Sequence, residues 1–379
     1  MRTELQARLA DIPLIDHHVH GPLRDRVSRT EFESLITESD RPVPSWMTQF
    51  DSQIGFAIRR HCAPLLGLPE RASAEDYWAA RSELDPDELT RRLLSASGTR
   101  HWLIETGYRG EQILSPDELG QLVDGQVDEV VRLESVLESV APGCTAEGLV
   151  AAFRDELARR ARSAVGLKSI VAYRYGFDFD PEPPTDADVL RAAGEWLRSI
   201  DSGAPPRVDD VVLLRMLLRE GVATGLPLQL HAGYGDPDVE LHRCDPLLLT
   251  RWLKAIEGSG SDVLLLHCYP FHRNAGYLAQ VFPHVYFDVG LGINYTGARS
   301  ATVVAESLEL APFAKILYSS DAWGPPELHH LGAVLWRRGM ELAMRPWVEE
   351  GEWSLEDALR VATLIGRGNA ARVYGLSDD

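Results

Sequence analysis

The sequence is short of cysteine: of 379 residues only Cys62, Cys144, Cys244 and Cys268 are cysteines, and no two form a CxxC pair. Disulfide frameworks hold together small secreted chains, so that basis for the fold is excluded and a reduced, cytoplasmic protein is expected. Long hydrophobic runs are missing as well. No stretch approaches the roughly 18 apolar residues of a membrane-crossing helix. The opening MRTELQARLADIPLIDHHVH lacks the apolar core of a signal peptide. Basic charge is in deficit, with 38 Lys and Arg against 57 Asp and Glu and a formal net charge of −19. Such a surface repels phosphate backbones. With nucleic acid and membrane set aside, a small-molecule substrate is the expected partner, and homo-oligomerisation stays open.

What is present is a 45% hydrophobic fraction arranged as short β-like runs that alternate with amphipathic stretches. The runs cover 12–20, 102–107, 127–136, 166–174, 226–233, 262–268, 285–290 and 314–321. Strands separated by helices predict parallel pairing through crossovers. The expectation is therefore an α/β fold, a distorted (β/α)8 TIM barrel forming a single domain over 1–379. Residues 22–100 break the rhythm. Ser28 with Glu31 has capping-box spacing, and Asp85-Pro86-Asp87-Glu88 reads as a cap with proline at the first helical position. With Trp46, Phe50, Phe56 and Trp78, this stretch is predicted to be a helical insertion after the first strand, either a lid or a packing appendage. Ser115-Pro116-Asp117-Glu118 caps another helix. Residues 354–376 are predicted as one or two helices packed outside the barrel.

Catalytic groups of such barrels sit at the C-terminal ends of strands. His18 and His20 end the first run, His231 the fifth, His267 the sixth and Asp321 the eighth, while Lys168 lies within the fourth. Alternation with period two places Asp16, His18 and His20 on one face and His17 on the other. Two imidazoles on one strand face, joined by further imidazoles and a carboxylate, form a donor set suited to zinc, manganese or iron, with room for water. Any one of these residues alone is unremarkable; their repeated placement carries the signal. His17, His61, His101, His242, His284, His329 and His330 lack that placement, and His272 remains open. A lysine in an apolar strand is costly unless paired or neutralised. Lys168 therefore reaches solvent or a carboxylate, bridges two ions after carboxylation, or stays a plain amine beside one ion.

These residues resemble the amidohydrolase superfamily, of amidohydrolase-2 type. Its members carry HxH on strand one, often Lys on strand four, His on strands five and six and Asp on strand eight. The passages LKSIVAYRYGFDFD, LPLQLHAGYGDPD, LLLHCYPFHRNAGYLAQVFPHVYFDVG and LELAPFAKILYSSDAWGPPE look closest to the amidohydrolase domain fused to glutamine-synthetase-like modules in nodulin-type and FluG-type proteins. This chain departs in lacking such a module and reads as a stand-alone version.

The resemblance implies one or two divalent ions, most simply zinc, held by His18, His20, Lys168, His231, His267 and Asp321. It implies a hydrolase cleaving a C–N amide bond other than a peptide bond, by metal-activated water. Asp321 would serve as general base and then acid. His267 would bind a second ion or the developing oxyanion, and Asp16 would support the ligands. Arg174 shares the parity of Lys168 and is a candidate for holding a substrate carboxylate, unless it pairs with an acid such as Asp178. Tyr173, Asp236 and Trp323, on loops after strands four, five and eight, are further substrate contacts, with Asp236 suited to an amino group. A γ-glutamyl or similar carboxylate-bearing amide fits. The alternatives are a metal-dependent decarboxylase or sugar-acid isomerase on the same barrel, and a barrel kept only for binding.

Overall fold

The computed structural model describes residues 4–377. Seven strands lie side by side in chain order, all parallel. They are β1 Leu14–Val19, β2 Thr99–Glu105, β3 Gln126–Arg132, β4 Gly166–Ser169, β5 Leu228–Ala232, β6 Val263–His267 and β7 Val285–Phe287. Their side chains divide as a barrel requires. Ile15, Leu103, Val130, Leu264, Leu266 and Tyr286 meet in one inner apolar cluster. Leu14, Trp102, Val131, Leu167, Leu228, Leu230, Val263 and Leu265 join the larger cluster beneath the surrounding helices.

The eighth run does not form a strand, contrary to expectation. Its backbone still closes the ring: Leu317 N donates to Phe287 O at 3.0 Å on the β7 side, while Asp321 N donates to His18 O at 3.2 Å and His20 N to Ala322 O at 2.8 Å on the β1 side. Regular pairing fails because its donors are spent elsewhere. Tyr318 N goes to Ile365 O, Ser320 N to the Asp16 carboxylate and Ala322 N to the Ser320 hydroxyl.

Among the other strands, β3 and β4 fall furthest short of expectation at their C-terminal ends. Helix Leu133–Val140 takes over directly after β3. After β4, the Glu134 carboxylate accepts from the Ser169 hydroxyl at 2.6 Å and from Ile170 N at 3.0 Å. This turns the chain into the helical segment Val171–Arg174, so the strand parity that linked Lys168 to Arg174 does not extend that far.

The C-terminal helices Leu355–Thr363 and Asn369–Tyr374, joined by a π-helical turn, also depart from expectation. Ala370, Ala371 and Tyr374 belong to the inner cluster, so the second helix plugs the barrel instead of packing outside it.

Between β1 and β2 lie helices Arg29–Ser34, Gln53–His61, Ala74–Glu83 and Pro86–Ser97. The anticipated capping box at Ser28 and Glu31 is present, Asp85 caps the last of these helices with Pro86 following it, and Ser115 with Glu118 makes a second capping box. Phe32, Phe50, Tyr77 and Trp78 pack ring against ring; Trp46 and Phe56 are exposed. A buried ion pair ties this layer to the long helix Pro326–Glu349, which the sequence reading missed: Arg81 Nε lies 2.6 Å from the Glu327 carboxylate, to which the Tyr77 hydroxyl also donates at 2.9 Å. Among the described residues no helix is long and apolar enough to cross a membrane.

Truncating one member of a buried ion pair strands the other charge. Glu327→Ala is expected to cost about 3–5 kcal/mol, read as a lowered urea midpoint, and Tyr77→Phe about 1 kcal/mol. A loss under about 1 kcal/mol for Glu327→Ala would show that this pair does not pin the β1–β2 segment.

Candidate metal centre

The ends of β1, β5 and β6 and the irregular eighth segment converge on one buried point. Ligand-type atoms of His18, His20 and Asp321 all lie within 4.8 Å of one another. His18 Nε2 is 3.1 Å from Asp321 Oδ1 and 3.2 Å from Lys168 Nζ. His267 Nδ1 is 3.2 Å from Asp321 Oδ2 but out of line for a hydrogen bond, so it has no partner. The His267 ring stands 5.3 Å from that of His18 and 4.7 Å from that of His231. His231 Nε2 is buried and likewise has no partner. Two buried, unpartnered imidazole nitrogens beside a carboxylate are costly in a closed protein, and a bound cation accounts for both. By its chemistry and its convergence, the donor set fits a divalent metal.

Hydrogen bonds behind the imidazoles decide which nitrogen faces the centre. Gln229 Nε2 lies 2.8 Å from the carbonyl oxygen of His17 and 2.7 Å from the Tyr374 hydroxyl. A carbonyl only accepts, so that end of the amide must be the donor. Gln229 Oε1 therefore accepts from His18 Nδ1 at 2.8 Å, and His18 Nε2 presents its lone pair. His20 Nδ1 donates to Glu105 O at 3.0 Å, which frees its Nε2 in the same way.

His17 stays out of the centre, though not because of strand alternation. The β1–β2 register slips between Asp16 and Val19, and both His17 and His18 reach the Gln229–Tyr374 group. His17 is excluded because both its ring nitrogens are taken, by Tyr374 Oη and Asp288 Oδ2, each at 3.0 Å. Asp288 in turn accepts from His267 N at 2.9 Å. Alternation also mispredicts His267, which would follow Val263 and Leu265 outward. Instead its backbone takes the left-handed conformation, φ 67°, as does that of Asp321, φ 51°. Such strain in non-glycine residues is concentrated at functional sites.

Electrostatics keep the donors ready. Burial, reinforced by the nearby Lys168 ammonium, holds His18 and His231 well below the usual imidazole range; burial also depresses His20, to about 4, and His267. All are then neutral, the form a metal requires. Burial pushes Lys168 down to about 8 against the pull of Asp321, and pushes Asp321 well above the usual carboxylate range against the pull of Lys168.

The other anticipated residues are placed unevenly. The Tyr173 ring lies 4.2 Å from that of His231, and Trp323 packs on Tyr108 at 5.6 Å. Asp236 lies on the loop after β5 and bonds the backbone of Asp238. Asp16 accepts from Ser320 N at 2.9 Å, so it anchors the segment that carries Asp321. Arg174 pairs with Glu138 at 3.1 Å; Asp178, its suggested partner, pairs with Arg243 at 2.8 Å. His272, left open, pairs with Glu306 at 2.7 Å.

Sequence reading missed four members of the surroundings: Gln229, Asp288, and the buried ion pair of Glu105 with Arg132. Glu105 closes β2 and Arg132 closes β3, opposite Lys168 in register. Their strand-end positions were a usable signal.

Removing the acceptor behind a metal-type histidine frees its tautomer and rotamer. Gln229→Leu is expected to weaken metal uptake about 10–100-fold, measured by competition with a chromophoric chelator. Unchanged affinity would show that the Gln229 hydrogen bond does not prepare His18.

A family model described as Amidohydrolase matches residues 139–376. Protein fluG of Emericella nidulans is 27% identical over 409 residues, covering 97% of this chain and 46% of fluG; the chain spans about half the length of that curated relative. A protein from Lactobacillus casei inferred to be a metal-dependent hydrolase is 28% identical, with a TM-score of 0.86 over 98% of this chain and 97% of that one. Uronate isomerase of Thermotoga maritima shares the fold at a TM-score of 0.65 with 12% identity, over 98% of this chain and 96% of that one. The match covers more than half of the sequence and includes four of the residues gathered above, Lys168, His231, His267 and Asp321: the chain belongs to the amidohydrolase family.

Proposed function

We propose that the protein hydrolyses the C–N amide bond of a small carboxylate-bearing substrate, with a γ-glutamyl-type amide as the leading class. The observation that carries this reading is the convergence of His18, His20 and Asp321 at a buried point where neutral imidazoles expose lone pairs beside a carboxylate of raised pKa. His18, His20 and Asp321 are the residues to hold one divalent ion, zinc first, with manganese or iron also suited to the set. Lys168, His231 and His267 extend the set towards a second ion, Lys168 by carboxylation of its amine. A divalent ion bound there supplies Lewis acidity, acidifying a water and polarising a substrate carbonyl.

The chain's own groups do the proton work. Asp321, whose burial raises its proton affinity, takes the proton of the attacking water and delivers it to the leaving amine. With a single ion bound and its amine uncarboxylated, Lys168 balances the charge on Asp321. His267 either joins the ligands or donates to the developing oxyanion. The substrate anion is assigned to Arg132 in preference to Arg174. Both are ion-paired, Arg132 to Glu105 and Arg174 to Glu138, and both keep a buried Nε without a partner; Arg132 is preferred because it stands opposite Lys168 in register. Tyr173, Asp236 and Trp323 complete the substrate contacts, and residues 22–100 act as a cover over the mouth of a single 1–379 domain. The protein is proposed to work in the cytoplasm.

Sugar-acid isomerisation is the second reading, since uronate isomerases share this fold. A panel of γ-glutamyl amides and sugar acids separates the two. Amine release that falls at least about 100-fold on chelation and returns with added zinc is expected. Aldose–ketose conversion or carbon dioxide release without amine release would overturn the hydrolytic reading. Asp321→Asn with its metal retained should lose about 10²–10⁴-fold in kcat; undiminished turnover would remove Asp321 from the proton role.

A further inference from the structure

The loop after β2 carries a cation that the proposed chemistry leaves unused. Gly107, the second residue beyond the strand, donates its N–H to the Glu105 carboxylate, and its carbonyl accepts from the Ser135 hydroxyl at 3.1 Å. A Cβ there would stand 2.6 Å from that of Arg132, so the absent side chain lets the loop lie directly on Arg132. Tyr108 comes next. Its ring lies 6.4 Å from that of His20 and 5.6 Å from that of Trp323, and its carbonyl accepts from Trp323 Nε1 at 3.4 Å. Trp323 itself is two residues beyond Asp321. This aromatic wall starts at the metal-type donors and ends in solvent, where Tyr108 is 37% exposed.

Arg109 is laid over the wall. Its Cζ is 5.2 Å from the centre of the Tyr108 ring and 5.9 Å from that of Trp323. Arg132 Cζ approaches the same Tyr108 ring at 5.7 Å. Two guanidiniums thus share one ring, close enough for a single small molecule to touch both. They differ in what they hold. Arg132 is paired with Glu105. Among the described residues the Arg109 side chain forms neither an ion pair nor a hydrogen bond, and its contacts are the two rings. Stacking uses the flat of a guanidinium and leaves its N–H edge free, the edge that grips a carboxylate through two parallel hydrogen bonds.

The backbone points the same way. Arg109 has φ 47°, a region that glycine enters freely and other residues only at a cost. Glycines stand at 107 and 110, yet the left-handed position between them is given to arginine, with its carbonyl held by Gln112 N at 2.9 Å. Strain kept in a non-glycine residue beside a reaction centre goes with function. A chain of net charge −19 repels anions as a whole, and a free guanidinium at the mouth of the centre reverses that locally.

We infer that Arg109, backed by Tyr108 and Trp323, receives a second anionic group of the substrate, so that the site selects molecules bearing two acids, one met by Arg132 and the other by Arg109. This rests on the proposed assignment of the substrate carboxylate to Arg132. It narrows the proposed amides to those whose amine portion also carries an acid.

The test is calorimetric titration of the zinc-loaded protein with glutarate and adipate, and with the corresponding hydroxy acids, in which a hydroxymethyl group replaces one carboxylate. At least one diacid is expected to bind about tenfold more tightly than its hydroxy acid. Arg109→Gln should cut that preference to about threefold or less, while the hydroxy acid binds as before. Equal binding of diacids and hydroxy acids by the unmodified protein would overturn the inference, as would a preference that survives the substitution. A fall in hydroxy-acid binding as large as that of the diacid would make Arg109 a brace for the two rings and overturn it too. Diacid preference without amide hydrolysis would fell only the hydrolytic reading. Amide hydrolysis by a protein indifferent to the second acid would fell only this one.

Discussion

One side-chain amide governs the centre. Gln229 spans β5 and β1, donating to His17 O and Tyr374 and accepting from His18. A glutamine has one acceptor end and one donor end, so fixing either fixes the other. The carbonyl of His17 fixes the donor end, and the tautomer of His18 follows. Tyr374 accepts from the amide and donates to His17 Nδ1, leaving His17 Nε2 to donate to Asp288. A run of hydrogen bonds thus links the C-terminal plug, two barrel strands and the backbone of His267. Each member is buried, so any break would leave an unsatisfied polar group costing about 1–3 kcal/mol.

Backbone strain accompanies this order. His267, Cys268 and Asp321 all occupy the left-handed region, at about 1–3 kcal/mol each. They bring an imidazole and a carboxylate inward where regular strands would have carried one outward and paired the other into the sheet. Asp16, Ser320 and Ile365 hold the chain around Asp321 by hydrogen bonds. Position is obtained at the expense of regular secondary structure.

Much of this was legible in the sequence. Apolar runs located the seven strands, because parallel strands buried on both faces must be hydrophobic throughout. Caps at Ser28, Asp85 and Ser115 were visible because their chemistry is local. The strand-end residues His18, His20, Lys168, His231, His267 and Asp321 were found by position, and the structure brings them to one place. What the sequence concealed was non-local. Glu134 ends β4 through a contact 35 residues away, and the slip in β1 undid the alternation used to set His17 aside. Gln229 and Asp288 look like ordinary polar residues until their partners, distant in the chain, are placed beside them.

The ring closes where the chain's two extremities meet. His17 and Tyr374 are hydrogen-bonded across 357 residues, and the eighth segment reaches β1 only when the rest of the barrel stands between them. Entropy of loop closure rises only slowly with length, but contacts between residues so far apart in the chain slow folding. The same seam holds His18, His20 and Asp321. A cation binding there engages only the closed ring, so it draws the equilibrium away from opened forms. The centre is thus a clasp for the barrel as well as a site for chemistry.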